Sequence, residues 1–98
     1  MKKTKAIKET VIKEDNVEAE GVRYEYRLIV RQSSRVASFR IPLYSVQVKL
    51  TDGDGSTTEA ELNDVFADIG KAVVFYDKLV DNLATPLNLH YILEDEMV

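Results

Sequence analysis

VRYEYRLIVR, residues 22–31, decides the fold. Val22, Tyr24, Tyr26, Leu28 and Val30 fall on one face of an extended chain. Arg23, Glu25, Arg27 and Arg31 fall on the other, with Ile29 the single apolar intruder. In an extended chain successive side chains point to opposite faces, so a period of two in aromatic and β-branched residues marks a half-buried strand. Its apolar face needs a cover, and its polar face must accommodate three arginines.

The overlapping stretch RQSSRVASFR, residues 31–40, adds three serines and further arginines to a chain with a net charge of −4. A second strand over 36–41, with Ser33-Ser34 at the tip of a tight loop, pairs Val30 with Ala37, Leu28 with Phe39, Tyr26 with Ile41 and Tyr24 with Leu43. All four pairs are apolar and share a face. Serine is a second choice for a two-residue turn, which favours Gly or Asn at positive φ, but a four-residue loop preserves the same pairs. On the polar face this register sets Arg27 against Arg40, with Arg31 and Arg35 near the tip. Like charges across a ladder repel and need a carboxylate, an anion or water between them. Arg27, Arg31, Arg35 and Arg40 are therefore the candidate residues for binding an anion or a partner.

Past Pro42 the alternation changes phase, from Phe39, Ile41 and Leu43 to Tyr44, Val46, Val48 and Leu50. That marks a bulge or bend, where a residue without an N–H is tolerated. In the turn TDGDGS, residues 51–56, a three-residue loop Gly53-Asp54-Gly55 pairs Leu50 with Thr58, Val48 with Ala60 and Val46 with Leu62. It also puts Gly55 where a left-handed residue is required. A two-residue loop would face Val48 with Glu59 and Val46 with Glu61. The segment lacks the later ligands of a calcium loop, so turn chemistry explains it. Upstream, residues 5–14 read as an edge strand, with Ile7 and Val11 on one face and Ala6 and Ile12 on the other; its lysines suit an edge facing solvent. Residues 14–21 read as the connecting loop.

Ile69, Ala72, Val73, Tyr76, Leu79, Val80 and Leu83 recur at three- and four-residue spacing, which is the apolar stripe of a helix over about 69–84. Asn63, Asp64 and Asp68 can each cap it, and Gly70 favours the late start because an interior glycine costs about 1 kcal/mol. Thr85-Pro86 ends this helix and can open another over about 86–96, with Leu89, Ile92, Leu93 and Met97 on one face. The rival alternation Leu87, Leu89, Tyr91, Leu93 resembles a strand, and the short helix is preferred. Tyr24, Tyr26 and Phe39 lie on the sheet face that meets the helix stripe carrying Tyr76, which makes these aromatics core rather than a platform for stacking bases.

Ninety-eight residues suit one domain, 1–98, built from a single sheet and one or two helices. With no cysteine and His90 as the one histidine, a disulfide framework, thiol chemistry and a metal site built on imidazole or thiolate are excluded within one chain. No serine lies in a nucleophile-elbow context, and no glycine-rich loop joins a strand to a helix. Met1-Lys2-Lys3-Thr4-Lys5 begins like a signal peptide, but Ala6-Ile7-Lys8-Glu9 interrupts the apolar run one would need. No stretch is long and apolar enough to span a bilayer, so a cytoplasmic protein is expected. Residues 1–50 carry 11 basic and 6 acidic side chains, a net +5, whereas residues 51–98 carry 2 and 11, a net −9. The halves can attract each other within one fold or between two copies, and Glu94-Asp95-Glu96, Asp77 and Asp81 are candidates to answer the arginines.

Lys78-Leu79-Val80-Asp81-Asn82-Leu83-Ala84-Thr85-Pro86, a hydrophobic pair before Glu94-Asp95, and YRLIVRQ at 26–32 resemble a family of small uncharacterised proteins of Clostridia-type Firmicutes. The resemblance runs over residues 22–96. It implies a bacterial cytoplasmic domain of unknown function and supplies no activity or catalytic residue.

The expected fold is α+β: an antiparallel meander of four to five strands within 5–62, covered on one face by the main helix and a short terminal helix. The expected role is a non-enzymatic protein-interaction or regulatory module, binding a protein partner or a second copy of itself, with no cofactor and no metal. The alternative is anion or nucleic-acid binding through Arg27, Arg31, Arg35 and Arg40, which the acidic total charge disfavours for nucleic acid.

Overall fold

β2 (Val22–Gln32) lies inside a four-stranded sheet, between β1 (Glu9–Ala19) and β3 (Pro42–Thr51), with β4 (Thr57–Phe66) completing the order β1-β2-β3-β4. The computed structural model of the chain describes residues 9–32 and 42–97. All neighbouring strands are antiparallel, so the sheet is a meander. α1 (Ile69–Asp81), a 3₁₀ turn (Pro86–Asn88) and α2 (Leu89–Met97) follow, giving an α+β fold.

The partner of β2 differs from the one expected. Tyr24 pairs with Leu50, Tyr26 with Val48, Leu28 with Val46 and Val30 with Tyr44, in place of Leu43, Ile41, Phe39 and Ala37. Both downstream segments carry an apolar alternation in the right phase, so pattern alone does not separate them. The strand that pairs also binds β4 along its other edge, and so satisfies backbone groups on both sides. Pro42 opens β3 rather than bending it, and first place in a strand is one a proline can hold. The expected strand at 36–41, Phe39, Arg35, Arg40 and the edge residues before Glu9 lie outside the described residues.

β1 also departs from its reading. Residues 14–19, expected as loop, continue the strand to Ala19, and a two-residue turn, Glu20-Gly21, reverses the chain at φ 53° and 79°. Positive φ at both positions matches the right-handed twist of a hairpin. The register shifts between Val11 and Lys13, where β1 bulges at Ile12. The Glu20-Gly21 turn sets the register back to Lys13, and an extra residue inverts the parity of the strand beyond it. Val11 is therefore left outside at 48% exposure, while Lys13, Asp15 and Val17 sit opposite Leu28, Tyr26 and Tyr24 on the helix side.

The β3–β4 hairpin agrees with the sequence. Leu50 pairs with Thr58, Val48 with Ala60 and Val46 with Leu62, and Gly55 adopts φ 92°.

Asp68 caps α1, its Oδ1 accepting from Gly70 N at 2.7 Å and Lys71 N at 3.2 Å. The helix ends at Asp81 rather than near residue 84. Leu83 N–H donates to Val80 O and Ala84 N–H to Leu79 O, with Leu83 in the left-handed region at φ 50°. That is the Schellman arrangement, here without its usual glycine. The buried face of α1 is Ala72, Phe75, Tyr76 and Leu79. Phe75 takes the place expected of Ile69, which is 51% exposed in the first turn. These side chains pack on Tyr26, Leu28, Tyr44, Val46, Val48 and Leu62, and Ala84 and Leu89 close the core.

Candidate functional site

The sheet face away from the helices is a charged carpet built by strict alternation. β2 contributes Arg23, Arg27 and Arg31, flanked by acidic residues of β1 and β4. Arg27 faces Gln47 on β3 and Glu14 on β1, not Arg40, and its Nε donates to Glu14 Oε2 at 2.9 Å. Arg23 meets Glu18 at 3.3 Å. Both pairs are half exposed, and such pairs contribute about 0–1 kcal/mol.

Arg31 is held differently. Its guanidinium donates to Glu9 Oε2 and Glu61 Oε2, both at 2.8 Å, to Asn63 Oδ1 at 2.9 Å and to Ser45 Oγ at 3.3 Å. The side chain is only 19% exposed. The like-charge problem of the arginine strand is thus solved by carboxylates of the neighbouring strands. Asp77 lies elsewhere, paired with Lys13 at 2.7 Å on the helix side.

Beneath Arg31 lies a bulge in β4. Tyr44 pairs with Phe66 and Val46 with Leu62, so Ser45 stands opposite three residues, with Asp64 at φ 54°. Asp64 N–H donates to Ser45 Oγ at 2.8 Å, and that hydroxyl donates on to Asp64 Oδ1 at 3.3 Å. Ser45 is fully buried, and its hydroxyl takes the place of the ladder bond the bulge removes.

Further along this face a depression of about 410 Å³ is lined by Glu25, Arg27, Gln47, Lys49, Glu59 and Glu61. Lys49 sits in register between Glu25 and Glu59 without forming an ion pair to either among the described residues.

On the helix side, the β1–β2 hairpin register presents Lys13 and Asp15 to α1. Tyr76 Oη donates to Asp15 Oδ2 at 2.8 Å and lies 3.1 Å from Tyr26 O, while Tyr26 Oη donates to Ala84 O at 2.9 Å. Lys13 Nζ lies 5.5 Å from the Tyr76 ring centre. Burial, then repulsion from the neighbouring Tyr24 phenolate, pushes the Tyr26 phenol up to about 12. Burial, the hydrogen bond to Asp15 and the surrounding carboxylates raise Tyr76 as well. These groups lock strand to helix.

Most of the exposed large apolar side chains among the described residues lie on the outer surface of the helical layer. Leu87 is 83% exposed and Tyr91 70%, one helical turn apart, with exposed Glu94 a further turn along. A separate cavity of about 920 Å³ is lined by Val65, Phe66, Ala67 and Val74, with Asp68 and Lys71 at its rim.

Of the four candidate arginines, Arg27 and Arg31 lie on one face and are already engaged; Arg35 and Arg40 lie outside the described residues. His90 is exposed. Among the described residues no group of three or more His, Cys, Asp or Glu side chains is placed to hold a metal ion. Sequence reasoning missed Lys13 and Asp15, turned inward by the Glu20-Gly21 hairpin, and Ser45 and Asp64, which meet across the β4 bulge. The Asn63-Asp64 interruption of the β4 alternation was the available signal for the last two. Leu87 and Tyr91 were legible as the positions left over once Leu89, Ile92 and Leu93 turn inward.

Residues 6–98 match the model of a protein family, the family of unknown function DUF6514. No curated protein and no solved structure matches the chain.

Proposed function

The chain belongs to the DUF6514 family, a family of unknown function that lends it no activity, and we propose from its geometry that it is a non-enzymatic protein-interaction module. The observation that carries this reading is the outward pair Leu87, in the 3₁₀ turn, and Tyr91, on α2, whose inner face already completes the core through Leu89. Scattered apolar residues on a surface are ordinary, but two large, highly exposed ones four positions apart offer an apolar centre for a contact, and tyrosine is favoured at interfaces. Glu94 continues the same face, and residues 51–98 carry a net −9. The partner that fits is a protein surface with an apolar centre and a rim of lysine or arginine. A bacterial, cytoplasmic setting belongs to this proposal; among the described residues no helix is long and apolar enough to cross a membrane.

Anion binding by the arginine face ranks second. A phosphate there must displace Glu14 from Arg27, and Glu9 and Glu61 from Arg31.

A photo-crosslinking residue at Tyr91, with a control at exposed Thr58, tests the first reading in cell lysate. The expected product is a discrete crosslink from position 91 that maps to a basic, apolar segment and is lost in Leu87→Ser. A crosslink to a second copy of the chain would redirect the reading to self-association. Equal capture from both positions, unaffected by Leu87→Ser, would defeat it.

A further inference from the structure

The tip joining β3 to β4 contains two Asp-Gly steps, Asp52-Gly53 and Asp54-Gly55, and all four residues are exposed. At such a step the side-chain carboxyl can capture the following amide nitrogen, because glycine places no side chain in the way of the five-membered ring. The two steps are chemically alike but structurally unequal.

At the second step both reacting groups are occupied. Gly55 N–H donates to Asp52 O at 2.9 Å, and Asp54 Oδ1 accepts from Ser56 N at 2.9 Å. Hydrogen bonds from the Ser56 backbone and then its side chain hold the Asp54 carboxyl below its ordinary range, in the ionised form that resists attack. At the first step both groups are open. Among the described residues, neither the Asp52 carboxyl nor Gly53 N–H meets a hydrogen-bond partner. The Asp52 main chain is meanwhile fixed, its N–H donating to Ser56 O at 2.8 Å.

We propose that Asp52 is a site of isoaspartyl modification, and that the hairpin directs this chemistry to Asp52 and away from Asp54. In the first step the Gly53 nitrogen attacks Cγ of the protonated Asp52 carboxyl. A C–N bond forms, and the carboxyl OH leaves with the amide proton as water, giving a cyclic imide. In the second step water adds to the main-chain carbonyl carbon of Asp52 and breaks its bond to nitrogen. The chain then runs through Cβ and Cγ, with one extra methylene and a free α-carboxylate. One water is lost and one gained, so mass is unchanged and no oxidant or cofactor is required. A Cβ built on Gly53 lies 3.6 Å from Gly21 O, so the lengthened tip adjoins the β1–β2 turn. The product belongs to the class of substrates taken by S-adenosylmethionine-dependent isoaspartyl methyltransferases.

The test is incubation of the full chain at neutral pH and 37 °C, beside the same chain unfolded in guanidinium chloride. Trypsin releases residues 50–71 as one peptide carrying both steps, since no Lys or Arg intervenes. Electron-transfer fragmentation then locates the isomer, and methyl transfer by an isoaspartyl methyltransferase gives the total. The expected ratio of isoaspartate at 52 to that at 54 is about tenfold in the folded chain, since reaction at 54 requires two hydrogen bonds to break first, and near parity in the unfolded one. Any folded ratio above the unfolded ratio supports the proposal. An equal or lower ratio, or no isoaspartate at 52, overturns it. Gly53→Ala should slow the reaction at 52 and leave 54 unchanged, because the added Cβ makes only ordinary contact. Unaltered isoaspartate at 52 in that variant would also count against the assignment.

Discussion

Tyr76 and Asp15, sixty-one positions apart, share a 2.8 Å hydrogen bond that fastens α1 to the edge strand of the sheet. The phenol is fully buried, and Tyr26 O lies 3.1 Å from the same hydroxyl. Tyr76→Phe leaves the ring packing intact and strands a carboxylate against an apolar edge, so it should cost about 1–3 kcal/mol. Asp15→Ala removes the other partner, and the double variant should cost less than the two single changes added together. Urea unfolding of the four proteins measures the coupling; strict additivity would mean that the bond contributes nothing.

Stability should fall steeply at alkaline pH. Tyr26 is raised from 10.0 to about 12 in the folded chain, chiefly by burial, and Tyr76 is raised by burial and by Asp15. A folded-state value above the unfolded one means that the native chain keeps a proton the unfolded chain releases. The contribution is whole below pH 10 and is lost as pH climbs through about 12. Lys13, raised by its hydrogen bond to Asp77, weakens in the same direction. With both phenols involved the slope reaches about 3 kcal/mol per pH unit. Denaturant midpoints taken between about pH 9 and 12 check the slope, and flat midpoints over that span would contradict it.

Ser45→Ala should destabilise the chain out of proportion to the single oxygen removed. Its hydroxyl accepts from Asp64 N–H and from Arg31, at a buried position opposite the bulge. With alanine there, Asp64 N–H loses its only acceptor among the described residues, a cost of about 1–3 kcal/mol. Hydrogen exchange at Asp64 should quicken by at least about tenfold while the Val46–Leu62 rung stays protected. Unchanged exchange at Asp64 would show that the bulge does not depend on the hydroxyl.

How much was legible depended on where period two ran unbroken. β2, the β3–β4 register, the Asp68 cap and the helix after Pro86 each follow from local pattern and turn chemistry, and each stands in the structure. The partner of β2 did not follow, because 36–41 and 44–50 each offer an apolar alternation that can face it and only pairing on both edges separates them. Nor did the inward turn of Lys13 and Asp15. The two-residue turn at Glu20-Gly21, in a stretch that reads as loop, sets that register, and the bulge at Ile12 then turns Val11 outward. The arginines read as a face in need of a carboxylate, an anion or water, and among the described residues Glu9, Glu14 and Glu61 of the adjacent strands answer them.

The turn at Glu20-Gly21 supplies two changes of opposite sign. Glu20 adopts φ 53° and Gly21 φ 79° in a two-residue hairpin connection. A glutamate in the left-handed region pays the Cβ penalty that asparagine largely escapes by bonding locally. Glu20 is exposed and has no partner among the described residues, so Glu20→Asn removes no contact and should stabilise by about 0.5–1 kcal/mol. Gly21→Ala should destabilise by about 1–2 kcal/mol, although an added Cβ would meet nothing within 4 Å, because the whole cost lies in the backbone angle. Thermal midpoints should therefore move apart, by roughly 4–8 °C for each kcal/mol in a domain of this size. If both variants melt with the parent, the chain does not reverse at these two residues and the hairpin register of β1 is wrong.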